Sequence, residues 1–291
     1  MKRPWLTYGL AFIGGLVVSL IIISFFVALL VSLLDKGWGK PKIGVLEVKG
    51  VIFDSETYLP AIRELKERKD IKAVVLRIDS PGGAIGPVQE IFEELQSLRQ
   101  SKPLFVSMGG VSASGGLYLA LAGQRIFANP GTITGSIGVM IQLPNFEKLM
   151  DKIGISAEVI KSGDFKDTGS SFRKLSERER KYLQEKVNAL HHQFVRKIAE
   201  ERKIELEKVK VMADGRIFTG EEALSLGLVD ELGNFYRAVE AAKKAANLEK
   251  AELLYFPEKK GFLSKFIEEK LPLGGLLSEH FSLRGFYIYQ K

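Results

Sequence analysis

Ala73-Val74-Val75-Leu76-Arg77-Ile78-Asp79-Ser80-Pro81-Gly82-Gly83 is an apolar run that ends in a proline–glycine turn. Such a run, closed by Pro-Gly-Gly, reads as a buried strand entering a tight turn. On its N-terminal side, residues 43–51 read as a first strand and 58–67 as a helix. On its C-terminal side come a helix over 86–99, a strand over 104–108 and a helix that begins at Ser114. Further strands are expected near 125–128, 136–142 and 157–160. Alternating strands and helices predict an α/β fold with a largely parallel sheet. Ser176 and Glu179 have capping-box spacing and open a long helix to about residue 201; Thr219 and Glu222 repeat that spacing. Leu183, Val187, Leu190, Phe194 and Ile198 make one apolar stripe on the long helix, a packing surface that also offers a subunit contact.

The chemistry starts from the same turn. Consecutive glycines let backbone N–H groups approach a ligand closely, and acyl transfer needs donors aimed at a developing oxyanion. Gly83 N–H supplies one candidate donor. Gly115 N–H, in Ala113-Ser114-Gly115-Gly116, supplies the other, at the start of a helix. A serine nucleophile needs a partner to take its proton. The chain has three histidines and no cysteine. His191 and His192 sit in a charged helical pattern and His280 in the tail, so none is placed for the task. Lysine remains, and Gly163-Asp164-Phe165-Lys166-Asp167 makes Lys166 the candidate base for Ser114. A lysine base works only as the neutral amine, a form that burial favours. Asp164 and Asp167 would oppose this if they faced Lys166, so they are expected to point away. One copy of the chain carries both halves of the pair, so the site need not be completed by a second copy.

Each stretch alone also has an ordinary reading. Ser-Gly-Gly and Ser-Pro-Gly-Gly are usually turns, and an isolated lysine is usually solvated. Ser112, in Gly110-Val111-Ser112, is a rival nucleophile, but it lacks a glycine on its C-terminal side. Ser112 also stands where the first glycine of a Gly-x-Ser-x-Gly elbow around Ser114 would be. A phosphate cradle is disfavoured, because neither Gly-Lys-Ser/Thr nor G-x-G-x-x-G follows a strand.

Together these stretches resemble the bacterial and archaeal signal peptide peptidases of the SppA type, from about residue 43 to 247. The resemblance implies a membrane serine protease of the Clp-protease/crotonase-like fold. Asp79-Ser80-Pro81-Gly82-Gly83 is similar to that family's oxyanion strand and turn, and Ser112-Ala113-Ser114-Gly115-Gly116 to its nucleophile segment. Ser136, in Thr134-Gly135-Ser136-Ile137-Gly138-Val139, matches a serine that orients the lysine, and Ser162-Gly163 through Lys166 matches the lysine segment. Gly215-Arg216-Ile217-Phe218-Thr219-Gly220 and Gly227-Leu228-Val229-Asp230 resemble a shared structural signature. The implied substrates are hydrophobic peptides such as signal-peptide remnants. The implied assembly is a ring-like homo-oligomer enclosing its sites, with no metal or cofactor. A crotonase-type acyl-CoA enzyme and a non-catalytic membrane scaffold are the alternatives.

Pro4 to Leu34 contains no charged residue, a stretch longer than the roughly 20 residues that span a bilayer. It also exceeds the roughly 7–15 residues of a signal-peptide core. It reads as an uncleaved anchor over about 8–33. The expected organisation is an anchor at 1–35, a linker at 36–42, a protease domain at 43–250 and a tail at 251–291 of uncertain structure. Within that tail, 265–270 has an amphipathic pattern and 283–289 an extended one. Lys2 and Arg3 favour a cytoplasmic N-terminus, whereas Lys36, Lys40 and Lys42 argue the other way. The resemblance favours a cytoplasmic N-terminus with the catalytic domain outside. The +7 net charge over 291 residues is spread among acidic residues, without a basic run interleaved with aromatics, so nucleic acid is not the expected partner. Anionic lipid suits such a surface better.

Overall fold

The computed structural model describes residues 4–37, 41–257 and 286–288. Residues 38–40 of the expected linker, the 265–270 segment and His280 lie outside these. Two units separate, 1–41 and 42–291.

The first unit holds one helix, α1 (Pro4–Gly37), of 34 residues. At 1.5 Å per residue it is about 50 Å long. The window Ile13–Leu30 has a mean hydropathy of 2.8, and its side chains are exposed rather than packed against protein. The helix is therefore apolar all round.

The second unit is a mixed α/β structure around an eight-stranded sheet. Its strands are β1 (Lys42–Lys49), β2 (Ile71–Ser80), β4 (Leu104–Ala113), β5 (Arg125–Ala128), β6 (Ile133–Gly135), β7 (Ile217–Phe218), β8 (Glu231–Leu232) and β9 (Glu252–Phe256). Pairing is parallel everywhere except between β6 and β7. The period-2 alternation of a strand buried on both faces is visible in β2. Val74, Leu76 and Ile78 point into the larger core, under α2 (Leu59–Glu67), α3 (Ile85–Ser101) and the end of α6 (Glu177–Arg202). Ala73 and Val75 point into a smaller core closed by Ala238, Val239 and Ala242 of α9 (Phe235–Ala245).

Strand β4 forks. Phe105–Ser107 pair with β5, and Val111–Ala113 pair with β6. The switch occurs at Gly109-Gly110, where a Cβ on Gly109 would lie 2.9 Å from the Ile78 carbonyl oxygen. Beyond the fork the end of β4 stays in the sheet, between β6 and Ser80 of β2, and Gly115 just after it packs against Gly82 and Gly83 of a second short strand, β3 (Gly82–Ala84).

Several expectations change. Residues 136–142 do not form the expected strand; β6 lies just before them, and Ser136 turns the chain away at φ 50°. Residues 157–160 form no strand, because no described segment pairs with them; Ile160 is 95% exposed. β4 runs to Ala113 rather than stopping at 108. The sheet continues past residue 250 into β9, which pairs with β1. The capping boxes at Ser176/Glu179 and Thr219/Glu222 are both formed, opening α6 and α8 (Gly220–Ser225). The stripe on α6 divides: Phe194 and Ile198 are buried, whereas Leu183, Val187 and Leu190 are only half-covered.

Candidate active site

Ser114 stands between the end of β4 and α4 (Gly115–Ala120), at φ 52° and ψ −115°. Positive φ in a residue with a Cβ is uncommon and costs strain of about 1–3 kcal/mol. Here neighbouring bonds enforce it: Ser114 N–H donates to the Gly135 carbonyl at 2.8 Å, and Ser136 N–H donates to the Arg216 carbonyl at 2.7 Å. The first bond sets Ser136 beside the Ser114 segment. Ser112, by contrast, is part of the β4 ladder, opposite Thr134 of β6. Ser112 Oγ and Ser114 Oγ are buried, without a hydrogen-bond partner among the described residues.

The glycine turn packs directly against this bend. A Cβ on Gly115 would lie 3.2 Å from both Gly82 Cα and Gly83 N, and one on Gly83 would lie 2.0 Å from the Ile52 carbonyl oxygen. The two candidate oxyanion donors are thus neighbours, held together by close backbone contact that only glycine permits.

Ser80, not singled out from the sequence, fixes the turn. It is fully buried. Its Oγ donates to the Gly50 carbonyl at 2.6 Å and accepts from Gly82 N–H at 3.1 Å. Bonding to the backbone two residues on is the habit of a serine turn, so Ser-Pro-Gly was the signal available. Ser80→Ala leaves Gly82 N–H and the turn unheld. We expect kcat to fall about 10- to 100-fold with KM nearly unchanged, since a displaced donor weakens only transition-state contacts. Steady-state kinetics check this; a rise in KM at constant kcat would mean that Ser80 shapes ground-state binding instead.

Lys166 is exposed, in a turn where its N–H donates to the Gly163 carbonyl, and Ser114 Oγ makes no hydrogen bond to it. Its acidic neighbours do point away. Asp167 accepts from Arg173 Nε at 2.8 Å and from Lys161 Nζ at 2.5 Å, and Asp164 from Arg178 at 2.9 Å. Arg173 also reaches both carboxylate oxygens of Glu179, at 2.9 and 2.5 Å. Glu179 in turn caps α6 through Ser176. One guanidinium thus ties the lysine turn to the helix start. Its hydrogen bonds hold the Asp167 and Glu179 carboxyls well below the usual carboxylate range. Depressed carboxyls stabilise above their unfolded values, and that contribution is lost as the pH falls through the folded ones. Limited proteolysis within 161–175 should therefore be slow at neutral pH and quicken below about pH 3. Arg173→Ala should cleave there fast already at pH 7. Equal rates for both proteins at pH 7 would show that the clamp does not order this turn.

A cavity of 380 Å³ opens beside Ser136, walled by Ile137, Val139, Met140 and Val187, with His191 and Asp214 at its edge. No group of acidic, histidine or cysteine side chains suited to a metal occurs among the described residues.

Comparison with known proteins decides the class. A family model described as peptidase family S49 matches residues 96–249, a span that includes Ser114, Ser136 and Lys166. The chain belongs to peptidase family S49. A putative protease of Synechocystis sp. is 44% identical over 212 residues, covering 72% of this chain and 76% of the relative. A putative signal peptide peptidase SppA of Enterococcus faecium is 34% identical over 253 residues, covering 82% and 74%. Protease 4 of Haemophilus influenzae is 33% identical over 216 residues, 71% of this chain but 35% of that longer protein. This S49 protein is a serine peptidase of the SppA type, which removes the acyl-CoA and scaffold alternatives.

Proposed function

We propose that this peptidase is a membrane-anchored endopeptidase in which Ser114 attacks the peptide carbonyl and Lys166 takes its proton. The observation that carries the reading is the strained Ser114 bend lying against Gly83 and Gly115. Gly83 and Gly115 N–H groups receive the oxyanion, and Ser136 holds the lysine amine. Lys166 then protonates the leaving amine and activates the deacylating water. The S49 assignment and parallel sheet support a Clp-protease/crotonase-like fold.

Lys166 comes from a neighbouring copy in this proposal. The segment that carries it exposes Leu149, Ile153, Ile155, Ile160 and Phe165, more apolar surface than a monomer usually leaves in water. The half-covered start of α6 adjoins it. A head-to-tail contact of this kind closes into a ring when its rotation allows, which would enclose the sites. Apolar walls in the cavity beside Ser136 suit hydrophobic peptides, such as signal-peptide remnants. The apolar α1 serves as anchor in contact with membrane lipid, with the N-terminus cytoplasmic and the catalytic domain outside.

A serine-directed phosphonate probe tests the nucleophile. It should label the native protein and Ser112→Ala, and leave Ser114→Ala unlabelled. Labelling that persists in Ser114→Ala and disappears in Ser112→Ala would transfer the role to Ser112.

A further inference from the structure

β4 does not keep step with β2. Up to Ile78, which lies opposite Met108, the two strands advance together. Two residues later Ser80 lies opposite Ser112, which is four residues beyond Met108. Gly109, Gly110 and Val111 therefore face the single residue Asp79. An ordinary bulge inserts one extra residue; this excursion inserts two. Backbone groups inside it lose their ladder partners and must find others. Two side chains supply them. Val111 N–H donates to Asp79 Oδ1 at 3.0 Å. The Gly109 carbonyl accepts from Thr132 Oγ1 at 2.7 Å, and the buried Thr132 hydroxyl accepts in turn from Asn129 N–H at 3.1 Å. The glycines make room for Asp79: a Cβ on Gly109 would lie 3.0 Å from its Cβ and Cγ, and one on Gly110 3.6 Å from its Oδ1.

What the excursion sets is the place of Ser114. Without it the ladder would bring Gly110, not Ser112, opposite Ser80. With it, Val111–Ala113 meet Ile133–Gly135 of β6, Thr134 Oγ1 donates to the Ser112 carbonyl at 2.6 Å, and Ser114 N–H reaches the Gly135 carbonyl. Thr132 immediately precedes β6, so one segment both holds the excursion and receives the strand that leaves it. We propose that Asp79 and Thr132 are positioning residues of the peptidase. Together they fix the length of the β4 excursion, and through it the position of Ser114 Oγ against Gly83 and Gly115. The proposal rests on the reading of Ser114 as nucleophile. Asp79 serves here as a hydrogen-bond acceptor, not as a charge.

Four single substitutions in the full chain test this. Asp79→Ala and Thr132→Val remove the bonds, whereas Asp79→Asn and Thr132→Ser keep an oxygen in place. A displacement of about 1 Å at the reacting group can cost about 10²-fold in rate. The first pair should therefore lower kcat for a short apolar peptide about 10²-fold with KM nearly unchanged, and the second pair should stay within about threefold of the native protein. The pH profile of kcat in Asp79→Asn should match the native one. Amide hydrogen exchange at Val111 and Ser114 should quicken in Asp79→Ala and Thr132→Val, while Val75 in the middle of β2 stays slow. Native kcat in either of those two variants overturns the proposal, as does an inactive Asp79→Asn. Exchange that quickens equally at Val75 overturns it too, since the two residues would then hold the whole sheet and not the serine. If the native protein hydrolyses no peptide, the reading of Ser114 fails, whereas exchange at Val111 and Ser114 still decides whether Asp79 and Thr132 hold the excursion.

Discussion

Ser114→Ala should reduce peptide hydrolysis by roughly 10⁵-fold or more, the scale seen when a nucleophile is removed from a serine peptidase. Nothing else in the bend can replace it. Ser112 Oγ is buried within the β4 ladder, on a residue fixed opposite Thr134. Ser114 alone occupies the turn of positive φ that abuts Gly83 and Gly115. Removing the hydroxyl leaves the Ser114 N–H bond to Gly135 intact, so the bend and the sheet should survive. Turnover of a fluorogenic peptide measures the loss, and an unchanged melting temperature assigns it to chemistry. Ser112→Ala should retain most of the activity. Comparable rates for the native protein and Ser114→Ala would falsify the assignment.

The second large effect concerns the base. Lys166→Ala should be inactive, and Lys166→Arg equally so, because a guanidinium does not give up its proton in the working range. His191→Ala and His192→Ala should change little. The informative experiment mixes two dead proteins. Ser114→Ala keeps its lysine and Lys166→Ala keeps its serine. If each site takes its lysine from a neighbour, co-assembled chains should recover about a quarter of the native rate, the share of random neighbour pairs that join an intact Ser114 to an intact Lys166. No recovery from chains shown to co-assemble would return the lysine to its own copy.

Much of the Ser114 bend was legible because its determinants are local. An apolar run followed by Pro-Gly-Gly announces a strand and a turn, and Ser-Gly-Gly announces a place where backbone comes close. The capping boxes at Ser176/Glu179 and Thr219/Glu222 were legible for the same reason: three residues contain the whole device. What was missed depends on distant partners. Residues 157–160 have the composition of a strand, yet pairing is supplied by a neighbouring strand, and none pairs with them among the described residues. β9 was unread because its partner, β1, comes from the opposite end of the domain. Ser80 looked like one letter of a turn; its hold on Gly50 and Gly82 appears only when β1 and β2 lie side by side. Lys166 was named from its own segment alone; that its turn is exposed while Ser114 is buried depends on how distant parts of the chain pack.

The forked strand gives the molecule a ruler. Ser114 follows β4 directly, and β4 is indexed against β5 at Phe105–Ser107, well before the fork. A slip of one residue there would shift everything beyond it by about 3.3 Å and invert which side chains face the core. That shift exceeds the tolerance of any oxyanion contact. The alternation of Leu104, Val106 and Met108 against Phe105 forbids the slip, since it would exchange the contents of the two cores. Substitutions that blur this alternation, far from the serine, should therefore act as errors of alignment, displacing the reacting oxygen while every catalytic residue remains in the chain.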